Sequence, residues 1–241
     1  MKKAVAIVVL SVLAVASQFA LSAKRPVKSP AVEEGIFAAL GGLRSIVAEI
    51  VWFRADRLQE EGRYVELAQL AHALALAEPH TPEVWSYASW NLAYNVSVMM
   101  QTGEDRWRWV EAAMSLLRDD GLRINPSSAE LYRELAWLFE LKIGADLDDA
   151  APVYRRKWRE IVTDVERRGA WEELSMNPMV MNEIEAVYGI SDRADAMYSA
   201  IYWAHLGLKH AKKGVDARML ETIVRQAVVI YRRRKGGAEN G

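Results

Sequence analysis

The sequence predicts an all-α protein built from antiparallel helical hairpins. Apolar residues recur at spacings of three and four along most of residues 29–235, the period of one face of an α-helix. No segment alternates apolar and polar residues for long, as a half-buried strand does. Glycine and proline residues separate the helical stretches. We therefore expect short connections between paired helices.

The clearest hairpin signal surrounds Gly62. A glycine has no Cβ, so the chain can turn sharply there between two helices. Leu67 and Ala71 then lie on one face of the second helix, and Pro79 stands where that helix must end. Thr81 follows as an N-cap for the next helix, with a proline in its first turn.

This region resembles the tetratricopeptide repeat family, whose unit of about 34 residues has an aromatic residue near its start, a Gly-x-Tyr turn and a late proline. The matching positions are Gly62, Tyr64 and Pro79 in one unit, Trp85 and Pro126 in the next, and Tyr132 in a third. Leu67 replaces the family's small residue, and the two prolines are 47 residues apart. The resemblance covers about 45–145 and implies stacked helical pairs, which usually bind partners and seldom catalyse.

Residues 53–64 and 133–139 also look like a group of bacterial proteins in which one N-terminal membrane segment precedes helical repeats. That resemblance implies a layout and no particular activity. The predicted organisation is a membrane anchor or signal segment over 1–28 and a helical repeat domain over 29–241. Within the domain, about 45–145 is tetratricopeptide-like and about 146–235 is helical without the consensus.

The N-terminal segment has two interpretations. Residues 4–23 carry no charge, and twenty helical residues span about 30 Å, one bilayer core. Small-x-small sites near its end suit a signal peptidase, whereas its length and the basic residues after it favour an uncleaved single-pass anchor. The short basic N-terminus favours an extracytoplasmic, periplasmic domain, although the basic residues after the run favour the opposite orientation. We expect an anchored membrane protein.

Composition restricts the ligands. Residues 29–241 hold all 32 acidic residues and 26 of the 31 basic ones, a formal charge of −6, which does not suit nucleic acid. The chain has no cysteine, so it has neither a disulfide nor a thiolate metal site. His205 and His210 are five residues apart, the wrong spacing for a helical zinc pair. We expect no cofactor, no metal ion and no nucleic-acid partner.

Four tryptophans, Trp85, Trp90, Trp137 and Trp203, fall in apolar helix stripes and are expected in the core.

The favoured function is a membrane-anchored scaffold that binds another protein or peptide. The alternatives are an exported helical protein with a small ligand in its groove, and a helical enzyme using carboxylates such as Glu134 and Glu140. In stacked repeats, the first helices of the pairs form the inner face, here about 46–61, 82–100 and 129–143. The outward polar residues expected to contact a partner are Arg54, Arg57, Asn91, Asn95, Arg133 and Glu140.

Overall fold

The computed structural model describes residues 57–58 and 60–238, and no β-strand occurs within them. The main helices of this part are α1 (Tyr64–Ala77), α2 (Pro82–Trp90), α3 (Gly103–Ser115), α4 (Ala129–Trp137), α5 (Ala151–Arg168), α6 (Pro178–Tyr188), α7 (Ala196–His210) and α8 (Val215–Ala238). The prediction of an all-α domain is confirmed. The predicted anchor or signal segment, residues 1–28, lies outside the described residues. None of the described helices has both the length and the apolar composition needed to cross a bilayer.

Three of these helices continue as π-helical segments at their C-terminal ends. The segments are Asn91–Val96 after α2, Leu116–Gly121 after α3 and Leu138–Gly144 after α4. Each is closed by an amide that donates to the carbonyl five residues earlier, Ser97 to Leu92, Leu122 to Leu117 and Ala145 to Glu140. A π turn holds more residues than an α turn, so the side chains after it are rotated about the helix axis.

The turn at Gly62 has the predicted form. Gly62 has a φ of +69°, a left-handed conformation that favours glycine, and the Arg63 amide donates to the Leu58 carbonyl at 2.9 Å. Leu58 and Leu67 are buried and pack together across the turn. The chain therefore passes from one helical segment into α1 where the sequence predicted.

Helix α4 packs against helices that precede it and helices that follow it in the sequence. It contacts α2, α7 and α8, while α3 packs against both α2 and α5. The core contains large aromatic side chains that are fully buried, namely Trp85, Phe139, Tyr154, Trp158, Tyr198 and Tyr202. Trp85 and Trp203 are core residues, as predicted.

The basic end of α8 stabilises the ends of other helices. Arg232 donates to the carbonyl of Tyr188 at 2.7 Å, at the end of α6, and Arg234 donates to the carbonyl of Gly144, at the end of the segment after α4. These carbonyls have no acceptor role within their own helices, so a cation beside them is favourable. The two arginines therefore link α8 to the end of α6 and to the end of the segment after α4.

Candidate functional site

A cavity of about 150 Å³ opens between α2 and α4. Its lining is mainly apolar and consists of Ser86, Ser89, Trp90, Tyr94, Leu117, Glu134, Trp137, Leu138 and Leu141. Both helices belong to the segments that the sequence assigned to the inner face of the stack. We call this cavity the α2–α4 pocket.

All three π-helical segments contribute to the pocket. Tyr94 comes from the segment after α2, Leu117 from the segment after α3, and Leu138 and Leu141 from the segment after α4. Widened helical turns are rare and often occur at functional sites. Here they bring side chains of three helices around one opening.

Two tryptophans at the pocket are exposed to solvent. Trp90 is 45% exposed and Trp137 is 37% exposed, so the prediction that both lie in the core was wrong. The Trp90 ring stacks on Tyr94 with centroids 6.0 Å apart. Exposed tryptophans beside an apolar cavity leave a large aromatic surface for a ligand to cover.

Charged side chains border the pocket on the α4 side. Arg133 donates to Glu134 Oε1 at 2.7 Å and also pairs with Asp216 at the start of α8. Ser86 donates to Glu130 Oε1 at 2.9 Å. Burial raises the pKa of Glu130, and the neighbouring carboxylates of Glu83 and Glu134 raise it further, which outweighs the opposing effects of Ser86 and Arg133. Three carboxylates, those of Glu130, Glu134 and Asp216, therefore accompany one guanidinium on this side of the pocket.

Tyr94, which lines the pocket, also contacts a buried ionic cluster. The ammonium group of Lys142 lies 5.1 Å from the centroid of the Tyr94 ring and 2.5 Å from Asp148. Burial raises the pKa of Tyr94, and the charges of Glu134, Asp148 and Glu140 raise it further. Its hydroxyl therefore stays protonated at neutral pH.

The predicted partner-binding residues that the structure describes are not all exposed. Arg54 lies outside the described residues, and Arg57 is exposed and paired with Glu61. Asn95 is half-buried and donates to Asn91 at 2.9 Å, while Arg133 is half-buried in the ion pairs described above. Their role in partner binding remains a prediction.

All six predicted partner-binding residues were expected to face outward, but two of them do not. Asn91 is fully buried, and Glu140 is 2% exposed. Glu140 follows the buried Leu135 by five residues across a widened turn, which brings it to the inner side. Glu134 lines the pocket but Glu140 is not among its lining residues, so the two carboxylates do not converge there.

The tryptophans and Tyr94 were missed as site residues because a helical stripe of aromatic residues predicts core burial. The available signal was the density of aromatic residues in 85–94. Within the described range, no group of three His, Asp or Glu side chains is placed to hold a metal ion.

Glu140 predicts a pH dependence of stability. Burial raises the pKa of its carboxyl from 4.5 to about 7. The native state therefore binds more protons than the unfolded state between these values, and stability falls as the pH rises from about 4.5 to 7. At pH 8 we expect Glu140→Gln to raise the free energy of unfolding by up to about 3 kcal/mol, with no gain at pH 4. Urea unfolding of both proteins across this range measures the difference, and a pH-independent difference would contradict the assignment.

Comparison of the chain with protein-family models, with curated proteins and with solved structures finds no match.

Proposed function

We propose that this protein is a membrane-anchored, tetratricopeptide-like scaffold that holds a segment of another protein in the α2–α4 pocket. The observation that carries the proposal is the pocket itself, an apolar cavity flanked by two exposed tryptophans. Tryptophan is enriched among the residues that contribute most to protein–protein binding.

The helix contacts support the stacked arrangement. Helix α2 packs against α4, and α3 packs against α5. First helices thus contact first helices, and second helices contact second helices, as in a solenoid of hairpins. In such a solenoid the α2–α4 pocket lies on the inner face, where a partner segment would bind.

The size of the pocket favours a protein segment over a small ligand. Small-molecule sites usually enclose about 300–1,000 Å³, whereas this cavity encloses about 150 Å³. An engineered cavity of about 150 Å³ accommodates benzene. The pocket therefore has room for one side chain, with the rest of its segment lying across the exposed tryptophans.

Membrane attachment is proposed from the uncharged residues 4–23, with the helical domain on the extracytoplasmic side. Because a tethered scaffold meets its partner at the membrane, the proposal is best tested in cells.

The test replaces Trp137 with a photo-crosslinking phenylalanine derivative. A matched control carries the same residue at Met179, which is 79% exposed on α6, away from the pocket. After irradiation and an alkaline wash of the membranes, we expect a discrete adduct from the Trp137 variant alone, retained in the membrane pellet. Equal adducts at both positions would contradict the pocket as the binding site, and release of the adduct by the wash would contradict the anchor.

A further inference from the structure

The carboxylates around the α2–α4 pocket form an acidic rim, which we define as Glu83, Glu130, Glu134 and Asp216. Glu134 lines the pocket, and Glu130 is bound to the lining residue Ser86. Glu83 raises the pKa of Glu130 by its charge, and Asp216 pairs with Arg133 beside Glu134. Among the described residues, the ion pairs of these four carboxylates are made with one guanidinium, that of Arg133, so the rim keeps a formal charge of −3.

Arg133 leaves part of the Glu134 carboxylate available. Its Nε and Nη2 atoms both donate to Oε1 of Glu134, at 3.2 and 2.7 Å. In the described part of the chain, no hydrogen bond ends on Oε2 of the same carboxylate. An unused carboxylate oxygen at the edge of an apolar pocket suits a cationic donor.

The exposed aromatic rings favour the same kind of ligand. The face of an indole attracts a guanidinium or ammonium group, and arginine stacks on it readily. Trp90 and Trp137 lie on the two helices that border the pocket, and Glu134 is on the same helix as Trp137. A cation at the rim would therefore meet both a ring face and a carboxylate.

The interior of the pocket favours an apolar group. Leu117, Leu138 and Leu141 line it, and its polar groups are few. Beside Tyr94, the ammonium group of Lys142 is already paired with Asp148. A cation drawn past Glu134 into this apolar interior would lose its hydration without gaining a further partner, so the cation belongs at the rim.

We propose that the α2–α4 pocket recognises a basic, amphipathic segment of a partner protein, with one leucine-, methionine- or phenylalanine-type side chain in the cavity and an arginine or lysine at the acidic rim. The proposal rests on the function proposed above and adds the chemistry of the partner. The charge of the rim decides against an acidic segment, which it would repel.

The test is selection from a random library of 12-residue linear peptides displayed on phage, against the full-length protein in detergent. We expect selected peptides to contain an apolar residue with arginine or lysine nearby. In fluorescence titrations, Trp137→Ala should weaken the binding of such a peptide about 30-fold, and Glu134→Gln should weaken it about tenfold. Glu183→Gln, which removes an exposed carboxylate of α6, is the control and should leave affinity unchanged.

The substitution Arg133→Gln is expected to change the affinity in the opposite direction. It makes the rim more negative, so a basic peptide should bind more tightly, whereas an acidic peptide that used Arg133 would bind more weakly. Thermal unfolding of each variant is compared with that of the wild type. This comparison identifies any change in peptide affinity that comes only from loss of structure.

The outcomes separate the two proposals. Pocket-dependent peptides with no basic bias, or with an acidic bias, would overturn the basic segment and leave the binding site in place. Failure to select any peptide whose affinity depends on Trp137 would overturn both. If the protein forms a dimer that Trp137→Ala breaks, the pocket binds a second copy of this chain. That result would also overturn the proposal.

Discussion

Replacing Trp85 with alanine is expected to lower the free energy of unfolding by about 3–5 kcal/mol. Trp85 has no exposed surface, and its indole nitrogen donates to the Pro79 carbonyl at 2.9 Å. The same carbonyl accepts from Asn125 at 2.7 Å, and the backbone at Gly121 approaches the indole so closely that a Cβ there would lie 3.4 Å from it. Removing the ring leaves a cavity between backbone segments that cannot collapse freely.

Urea unfolding followed by circular dichroism measures this loss. Trp90→Ala is a matched control, because the same side chain is removed on the same helix but 45% of it is already exposed. We expect the control to cost less than about 1 kcal/mol. Equal losses from the two substitutions would show that Trp85 does not hold α2 in the core.

Replacing Asp148 with asparagine is expected to cost about 3–5 kcal/mol at neutral pH. The Asp148 carboxylate accepts from Lys142 at 2.5 Å, from the Tyr154 hydroxyl at 3.2 Å and from Arg106 at 3.3 Å. The Lys142 side chain is only 4% exposed. Without the carboxylate, its ammonium group is buried with no opposite charge, and this desolvation is the main cost.

The Asp148 prediction has a pH signature. Burial by itself would raise the pKa of this carboxyl, but the hydrogen bonds from Lys142 and the Ala150 amide outweigh burial and lower the pKa to about 2. Its contribution to stability is therefore present above the ordinary value of 3.8 and is lost as the pH falls towards 2. The difference between wild type and Asp148→Asn should shrink over that interval.

Asp146→Asn is the control for Asp148. It makes the same change in the same loop, but the Asp146 side chain is 77% exposed and pairs with Arg155. Exposed ion pairs contribute about 0–1 kcal/mol. A loss as large from Asp146→Asn as from Asp148→Asn would mean that burial of Lys142 is not the cause.

Local signals in the sequence were sufficient to predict turns and helix starts, because a short stretch of chain determines its own conformation there. Gly62 adopts the left-handed conformation that its turn requires, and Pro82 lies in the first turn of α2. Thr81 holds the predicted N-cap position of α2 with an extended backbone, although its side chain makes no capping hydrogen bond. Such features depend on backbone geometry and nearest neighbours, and these determine where a helix begins and ends.

The pocket could not be predicted from the same signals. A stripe drawn at α-helical spacing from Ala88 passes through Leu92, whereas the structure buries Ala93 instead, after the turn has widened. Trp90 and Trp137 were assigned to the core because they fall in apolar helix stripes, yet they lie at its edge, beside the cavity between α2 and α4. Hydrophobicity indicates that a side chain favours burial but not which element will cover it.

The sequence by itself determined that this is a helical protein, with a hairpin turn at Gly62, an acidic domain and an uncharged stretch at residues 4–23. Only the tertiary structure decided that Glu140 and Lys142 are buried and that Trp90 and Trp137 face solvent beside one pocket. The physical reason is that helix period and turn residues act within a few positions of the chain. The π-helical segments and the packing of α4 against α2, α7 and α8 depend on contacts between residues far apart in sequence.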